Sequence, residues 1–225
     1  MTNTLVIEKL IPEIERTIKK LDGKIFKTDP LAGAKLSRIT SIMSSAYKRH
    51  GFIIEKSILE SINANQQFVA WEERRFHVSK SADHMIDSII DTPERADATE
   101  LPYIEGHRTL QVDLVVYNKV SKHISSYEVK RGNGKHDSGK TRSILRDLLC
   151  QKVLISSYAK SRGLKVDSSD SKIIFYYGQR SKKLVPFSIM GSELDQHFGF
   201  EIQKNVEDVN LIFRDRLNGI LGEIN

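Results

Sequence analysis

The chain has 225 residues, a formal net charge of +6, 39% hydrophobic residues and 28% charged residues, which predicts one ordinary globular domain with a substantial core. No apolar run approaches the roughly 20 residues that cross a bilayer, and the single cysteine, Cys150, excludes a disulfide framework and a cysteine-based zinc site, as expected of a protein of the reducing cytoplasm. The surplus of lysine and arginine permits nucleic-acid binding through phosphate neutralisation but does not demonstrate it.

The first part of the chain predicts helices. Apolar residues recur at helical spacing over residues 1–21 with charges between them, which predicts an amphipathic helix and not a signal peptide. Such a helix packs on its own domain or on a partner. Helical spacing returns over 35–50 and over 52–63, and Gly51 between them either ends the first of these helices or kinks it.

One acidic residue interrupts the apolar face of the helix predicted over 52–63. At 100° per residue, Glu55 falls in the middle of an apolar stripe that includes Ile54 and Ile58, whereas Glu60 falls nearly opposite. A carboxylate in that place is costly to bury unless it meets a cation, a metal ion or a proton. Alternatively, this part of the helix is partly exposed and Glu55 reaches solvent, and the helical wheel leaves both interpretations open.

The remaining elements alternate between strand and helix patterns. The first is a strand over 68–78 whose charged centre either is solvated or lines a polar cleft, and a solvated edge is the favoured interpretation. An irregular segment over 79–107 follows, with a short helix at 82–90. The later elements are strands over 110–117 and 123–130, a helix over 140–162, a short buried strand over 172–177, a loop over 180–187, a short helix near 191–197 and a terminal amphipathic helix over 206–220. This order predicts an α/β fold in which helices flank a central mixed β-sheet, with antiparallel first strands and extra helices at both ends.

A phosphate-binding loop is one interpretation of the stretch after the third predicted strand. Gly134-x-x-x-x-Gly139-Lys140-Thr141 matches the loop pattern letter for letter, follows a strand and precedes a helix. Three features count against it, and the first is that the loop comes after more than half of the chain. The preceding strand, SSYEVKR, carries two charges and two serines where a buried apolar run is usual, and the later strand KIIFYY does not end in an aspartate that could hold magnesium.

Paired carboxylates are the other interpretation. Glu128 and Lys130 point to the same face of one strand, because side chains alternate along a strand. A short turn over 118–122 brings Asp113 of the preceding strand beside them. Two carboxylates with an ammonium group suit a hard divalent cation, and the lysine can stabilise a metal-bound hydroxide or the charge that develops on a phosphate. The alternative is an exposed Glu–Lys face on an ordinary hairpin.

With these residues in place, residues 35–178 resemble the PD-(D/E)xK nuclease superfamily, which has the restriction-endonuclease-like fold. The likeness consists of the element order helix–strand–strand–strand–helix–strand and of the residues Asp113, Glu128 and Lys130. Val112 stands where the family's name has proline, and no subfamily is assigned. The resemblance implies a single nuclease domain over 1–225, made of an N-terminal helix and loop (1–30), a catalytic core (35–178) and a C-terminal loop with helices (179–225).

The resemblance also implies roles for individual residues. Asp113, Glu128 and Val129 hold the metal ion, Lys130 activates the attacking water, and Glu55 matches the auxiliary acid that many members carry on the helix before the sheet.

Gln151 resembles a glutamine near the active site of some branches of the superfamily, but a polar residue on the solvated side of its helix explains it equally well. Four basic residues are expected at the mouth of the metal site, where they contact phosphates without reading sequence; they are Arg131, Lys135, Lys140 and Arg142. They also fit solvated basic loops. Base contacts, if any, come from other loops, such as 79–107 or 178–188.

The sequence therefore predicts a Mg²⁺-dependent DNA endonuclease, in which Mn²⁺ can substitute. Double-stranded DNA is the expected substrate, a homodimer the expected assembly, with the N-terminal helix as a possible contact, and bacterial type II restriction the expected role. A repair or junction-resolving nuclease is the nearest variant. The rivals are a nucleotide-binding phosphotransferase that uses Gly134–Thr141 and a DNA-binding module of the same fold that does not cut.

Overall fold

The computed structural model of the chain describes residues 2–97, 99–132, 138–179 and 182–222. The helices are α1 (Thr2–Asp22), α2 (Gly33–Asn63), α3 (Lys80–Ile89), α4 (Ser138–Ser161), α5 (Leu194–Phe198) and α6 (Gln203–Gly222). The strands are β1 (Phe68–Val78), β2 (Arg108–Asn118), β3 (His123–Lys130), β4 (Ser168–Phe175) and β5 (Ser188–Met190). Short 3₁₀ helices cover Pro93–Ala96, Lys182–Phe187 and Gly191–Glu193.

The chain folds into two compact units. One combines Met1–Ala64 with Gly199–Asn225, and the other is the continuous segment Asn65–Phe198. Because α2 belongs to the first unit and the sheet to the second, a single catalytic core over 35–178 stays a prediction.

The first unit is built from α1, α2 and α6, which bury their apolar faces against one another. Their shared core is made of Val6, Leu10, Ile14, Ile18, Leu21, Ile42, Ala46, Ile53, Val209, Phe213, Leu217 and Ile220. His50 of α2 stacks on Phe213 of α6 with ring centroids 5.4 Å apart. The apolar stripe of α1 therefore packs within its own unit, and α2 continues through Gly51 without ending there.

The second unit contains an open five-stranded sheet in the order β1-β2-β3-β4-β5. β1, β2 and β3 pair antiparallel, whereas β3, β4 and β5 pair parallel. α4 connects β3 to β4 and shares an apolar core with α3 and one face of the sheet. The predicted α/β fold with a mixed sheet and antiparallel first strands is confirmed.

Two β-bulges interrupt the pairing of β1 with β2. At the first, the single residue Glu72 of β1 faces two residues of β2, Asp113 and Leu114. The extra residue shifts the alternation of side chains, so that Val112 and Val115, on either side of the bulge, both contribute to the core shared with α4. The bulge therefore lies at Asp113, which the sequence predicts to be the first metal-binding acid.

The second bulge lies on β1, where Arg74 and Arg75 face the single residue Gln111 of β2. Both arginines are exposed, and β1 is an edge strand of the sheet. The predicted solvated edge is thus correct for these two residues.

Some boundaries differ from the prediction. β4 begins at Ser168 and not at 172, β5 was not expected, and the loop predicted over 180–187 contains a 3₁₀ helix from 182 onwards. The short helix expected at 82–90 is α3. Across the described ranges, no helix is both long enough and apolar enough to cross a membrane.

Candidate active site

Asp113 and Glu128 meet where β2 and β3 pair. The ladder joins Leu114 to Tyr127, so continuing its antiparallel register by one step places Asp113 opposite Glu128. Asp113 is fixed by the strand it faces, since its Oδ2 accepts a hydrogen bond of 2.8 Å from the backbone N–H of Val129. The pairing thus brings the two predicted metal-binding acids together.

Lys130 completes the cluster from the same strand as Glu128. Its ammonium group forms an ion pair with the Glu128 carboxylate. The side chains of Lys130 and Glu128 are 32% and 25% exposed, so the pair is half-buried and can be reached from solvent. The structure therefore brings Asp113, Glu128 and Lys130 into one place.

The electrostatics of the cluster favour a bound cation. Burial raises the pKa of Asp113 to about 6, and the negative charges of Glu128 and, more weakly, Glu72 also raise it. The hydrogen bond from Val129 and the positive charge of Lys130 act in the opposite direction. A carboxyl whose pKa is raised by burial and by a second carboxylate gains from a divalent cation beside it.

Glu72 is a member of this site that the sequence reasoning missed. The charged centre of β1 was predicted to be a solvated edge, yet the Glu72 side chain is only 16% exposed and acts electrostatically on Asp113. The reason is the bulge, which sets Glu72 opposite Asp113 and Leu114. The charged run EERR carries no signal of a bulge, so only the register of β1 against β2 could identify Glu72.

The Val129 peptide faces the site through its N–H group. In a strand the N–H and C=O of one residue point to the same side, and successive residues alternate. The carbonyl of Lys130 accepts from Tyr176 beyond the end of β4, at 2.9 Å, so it faces β4. The carbonyl of Val129 accordingly faces the β2 side, where Asp113 lies.

Gln151 lies close to the cluster, on the buried side of α4. It lines a cavity of about 130 Å³ together with Glu128. The residue is 3% exposed, and its Oε1 has no hydrogen-bond partner among the described residues. The alternative that Gln151 sits on the solvated side of its helix is therefore wrong.

These groups fit a hard cation such as Mg²⁺. Carboxylate, carbonyl and amide oxygens are its preferred ligands, and it keeps several waters, so one or two carboxylates suffice. Within the described ranges, no three His, Cys, Asp or Glu side chains are grouped closely enough to hold a metal ion by themselves. Asp113 and Glu128 would hold the ion with the help of the Val129 carbonyl, and the buried Gln151 oxygen still lacks a partner.

Glu55 lies in the helical unit, on α2. Ile54, Ile58 and Ile62 are fully buried, as the predicted stripe requires, and Glu55 between them is half-buried. Glu60 pairs with Lys9 at 2.6 Å, on the other side of the helix. The role of Glu55 as an auxiliary acid stays a prediction.

The basic residues expected to contact DNA are partly described. Lys140 and Arg142, at the start of α4, are exposed, and Arg142 forms an ion pair of 3.4 Å with Asp91. Arg131 follows Lys130 directly and lies over the ring of Tyr177, 5.8 Å from its centroid. Lys135 lies outside the described residues.

Half of the phosphate-loop pattern also lies outside the described residues, which omit 133–137. At the end of the pattern, Lys140 is exposed, whereas Thr141 is buried. Ser125 and Ser126, which counted against a buried strand, are in fact buried in β3, and Ser126 shares a hydrogen bond of 2.6 Å with Ser171 of β4. The absence of an aspartate at the end of β4 still counts against this interpretation.

Gly132 has a structural reason to be glycine. Its φ is +100°, and a Cβ atom there would lie 2.0 Å from the backbone nitrogen of Gly178. The chain leaving β3 and the chain leaving β4 thus pass each other too closely for any side chain. This contact holds the segment after Lys130 against the sheet.

The comparisons with known proteins do not extend this description. No protein-family model matches the chain, and neither a search of curated proteins nor a search of solved structures finds a match.

Proposed function

We propose that the protein is a Mg²⁺-dependent endonuclease that hydrolyses phosphodiester bonds of double-stranded DNA. The observation that carries the proposal is the convergence of Asp113 and Glu128, from two paired strands, with the ammonium group of Lys130. Such a cluster can hold a divalent cation and stabilise the charge that develops when a phosphodiester is hydrolysed, which supports the proposal.

Each residue of the cluster has a distinct role in this proposal. Asp113 and Glu128 hold the cation, and the N–H of Val129 keeps Asp113 in place with a 2.8 Å hydrogen bond. A bound Mg²⁺ supplies Lewis acidity and lowers the pKa of a coordinated water. Lys130 orients the attacking water and stabilises the negative charge that develops on the phosphate. Glu55 is proposed as an auxiliary acid.

A restriction-endonuclease-like core is the fold we propose for this activity. The mixed sheet supports it, because β2 and β3 are antiparallel, β4 is parallel to β3, and α4 crosses between β3 and β4. The residues proposed to be catalytic are Asp113 on β2 and Glu128 and Lys130 on β3, the strands on which the resemblance places them. Type II restriction by a homodimer is the role we propose on the same basis.

DNA is proposed as the substrate because basic side chains follow the end of β3 and begin α4, and the two on α4 are exposed. Lys140 and Arg142 begin the helix that also carries Gln151, and Arg131 adjoins Lys130 in the chain. Cations at these positions can neutralise backbone phosphates on either side of a scissile bond.

Incubation with Mg²⁺ and a large mixed-sequence DNA tests the activity directly. Discrete fragments are expected from a sequence-specific enzyme, whereas a smear identifies a nonspecific nuclease. An unchanged DNA with both Mg²⁺ and Mn²⁺ contradicts the proposal and favours a DNA-binding module without activity.

Substitution of the loop lysine separates the phosphotransferase interpretation from the nuclease. Lys140→Ala should weaken DNA binding but retain cleavage at saturating DNA, because Lys140 contacts phosphate only. Loss of ATP binding and of all activity in Lys140→Ala, with Lys130→Ala harmless, would contradict the nuclease. Lys119→Ala, an exposed lysine in the β2–β3 turn, is the matched control.

A further inference from the structure

The cavity between α4 and the β2–β3 pair is lined by an unusual set of side chains. Its volume is about 130 Å³, and its lining consists of Leu110, Gln111, Glu128, Ile144, Asp147, Leu148 and Gln151. The polar members are two carboxylates and two amides, and among the residues that the structure describes no lysine or arginine lines the cavity. The cavity therefore presents oxygen ligands from β3 and from α4, and each of its two carboxylates also pairs with one cation outside the lining, Glu128 with Lys130 and Asp147 with Arg108.

The Gln151 amide oxygen points to a missing ligand. It is buried and has no donor within the part of the chain that the structure describes, although a buried acceptor without a partner costs free energy. Gln151 lies four residues after Asp147, so both side chains project from the same face of α4. A hydrogen-bond donor or a cation in the cavity would give this oxygen the partner that the described residues do not supply.

A hydrogen bond from Arg108 holds Asp147 in position. Its Oδ1 accepts a 2.9 Å hydrogen bond from Nη1 of Arg108, whose other nitrogens contact Asp83 at 2.8 and 2.9 Å. The arginine therefore fixes Asp147 through one oxygen and leaves the other oxygen for a ligand. The side chain is 37% exposed, which leaves a path for an ion from solvent.

We propose that this cavity binds a divalent cation of the hard, oxygen-preferring class, held by Glu128, Asp147 and Gln151. This second cation is separate from the one proposed between Asp113 and Glu128. It rests on the proposed function only because both cations use Glu128 as a ligand. Oxygen-only ligands favour Mg²⁺, Mn²⁺ or Ca²⁺ over softer metals. Since a water takes about 30 Å³, the cavity has room for an ion with a few waters.

Counting bound ions tests the proposal. Mn²⁺ is titrated into the full chain, and free Mn²⁺ is measured by electron paramagnetic resonance. Asp147→Asn is expected to bind one ion fewer than the wild type, because asparagine keeps the acceptor for Arg108 but loses the charge. Asp167→Asn, which removes an exposed carboxylate that pairs with Lys122 at 3.6 Å, should leave the count unchanged. Equal counts for Asp147→Asn and the wild type overturn the proposal.

A second variant separates ligation from packing. Gln151→Met fills the same space without the partnerless oxygen, so in EDTA it should unfold at the same temperature as the wild type or higher. With Mn²⁺ its melting temperature should rise less than that of the wild type. An equal rise in both proteins overturns the role of Gln151 as a ligand.

The outcomes also separate this cation from the proposed activity. Asp113→Asn removes a ligand of the other cation only, so the ion that depends on Asp147 should remain bound. Cleavage of DNA by a protein whose ion count does not depend on Asp147 leaves the nuclease standing and overturns the second cation. An ion that depends on Asp147 in a protein without nuclease activity supports the cavity site and contradicts the proposed function.

Discussion

Asp113 carries its charge at a cost to the folded protein. Burial first, and then the charge of Glu128, raises its pKa from 3.8 to about 6. A carboxyl whose pKa is raised on folding stabilises the folded state below about pH 4, where it is protonated in both states, and this stabilisation is lost as the pH rises through 6. The candidate site is therefore a place where the metal-free protein gives up stability at neutral pH.

Asp113→Asn should consequently stabilise the metal-free protein at pH 7.5. The rise of about two pKa units corresponds to a gain of about 3 kcal/mol in the free energy of unfolding, and the gain should shrink as the pH falls towards 4. Urea unfolding in EDTA at several pH values measures it, with the exposed Asp167→Asn as control. A gain that does not depend on pH, or a loss at pH 7.5, contradicts this account of Asp113.

Asp83 illustrates the opposite case. Hydrogen bonds from Arg108 hold its pKa below the ordinary value, although burial acts against them. It also pairs with Arg146 at 2.7 Å and with His107 at 3.1 Å, and its side chain is 7% exposed. A carboxylate with a lowered pKa stabilises the fold above its ordinary pKa, and this stabilisation is lost as the pH falls.

Asp83→Ala should therefore be severely destabilising at neutral pH. Removal of one partner leaves the charge of Arg108 half-buried without its bidentate acceptor, which typically costs about 3–5 kcal/mol. Asp87→Ala on the same helix removes a carboxylate that pairs with Arg146 but is 57% exposed, so its cost should stay below about 1 kcal/mol. Thermal unfolding of both variants at pH 7 compares them, and similar costs would contradict the proposed role of Asp83.

At the scale of the elements, the hairpin of β2 and β3 could be predicted from the sequence. The bulge in the pairing of β1 with β2 could not. Alternation along the strands and a short turn suffice to place Glu128 and Lys130 on one face with Asp113 beside them. The extra residue at Asp113 and Leu114 depends on how β1 packs, which is a long-range effect. For that reason Glu72 was assigned to a solvated edge although it is largely buried.

Other misses have the same origin in packing between distant segments. β5 is three residues long and forms only because it pairs with β4, and a segment this short has no readable alternation. Gln151 is polar, so a helical wheel assigns it to solvent as readily as to a cavity. The two compact units depend on α6 returning to α1 and α2, which no local pattern indicates.

The close approach of the chains leaving β3 and β4 gives a test at this scale. Gly132→Ala should destabilise the protein by more than about 3 kcal/mol, because the added Cβ meets the backbone of Gly178 and the φ is positive. Gly163→Ala is the matched control: its φ is +81° but nothing lies within 4 Å of an added Cβ, so only the strain of about 1–2 kcal/mol applies. Chemical denaturation of both variants gives the difference, and equal costs would contradict the close approach.

At the scale of the whole molecule, the proposed activity requires a surface that binds DNA through phosphates. The net charge of +6 permits it, and the described basic residues expected to contact phosphates are Arg131, Lys140 and Arg142. Such contacts contribute affinity that falls as salt rises, because each neutralised phosphate releases counterions.

Arg142→Ala should therefore weaken binding of DNA of any sequence. The fall of log K with log salt should also become shallower, by about 1 in slope. Binding is measured in Ca²⁺ at several salt concentrations, so that no cleavage interferes. Lys119→Ala should leave the slope unchanged. An unchanged slope in Arg142→Ala, or a loss of affinity for one sequence only, contradicts a phosphate contact.

The central claim is that the cluster of Asp113, Glu128 and Lys130 hydrolyses DNA. The most direct measurement compares the rates of Mg²⁺-dependent DNA cleavage by the wild type and by Lys130→Ala under single-turnover conditions, together with their affinities for the same DNA. We predict a rate at least about 100-fold lower for Lys130→Ala, as expected on loss of a group that assists proton transfer and charge stabilisation, with an affinity for DNA close to that of the wild type. Equal rates in the two proteins, or no cleavage by the wild type, would contradict it.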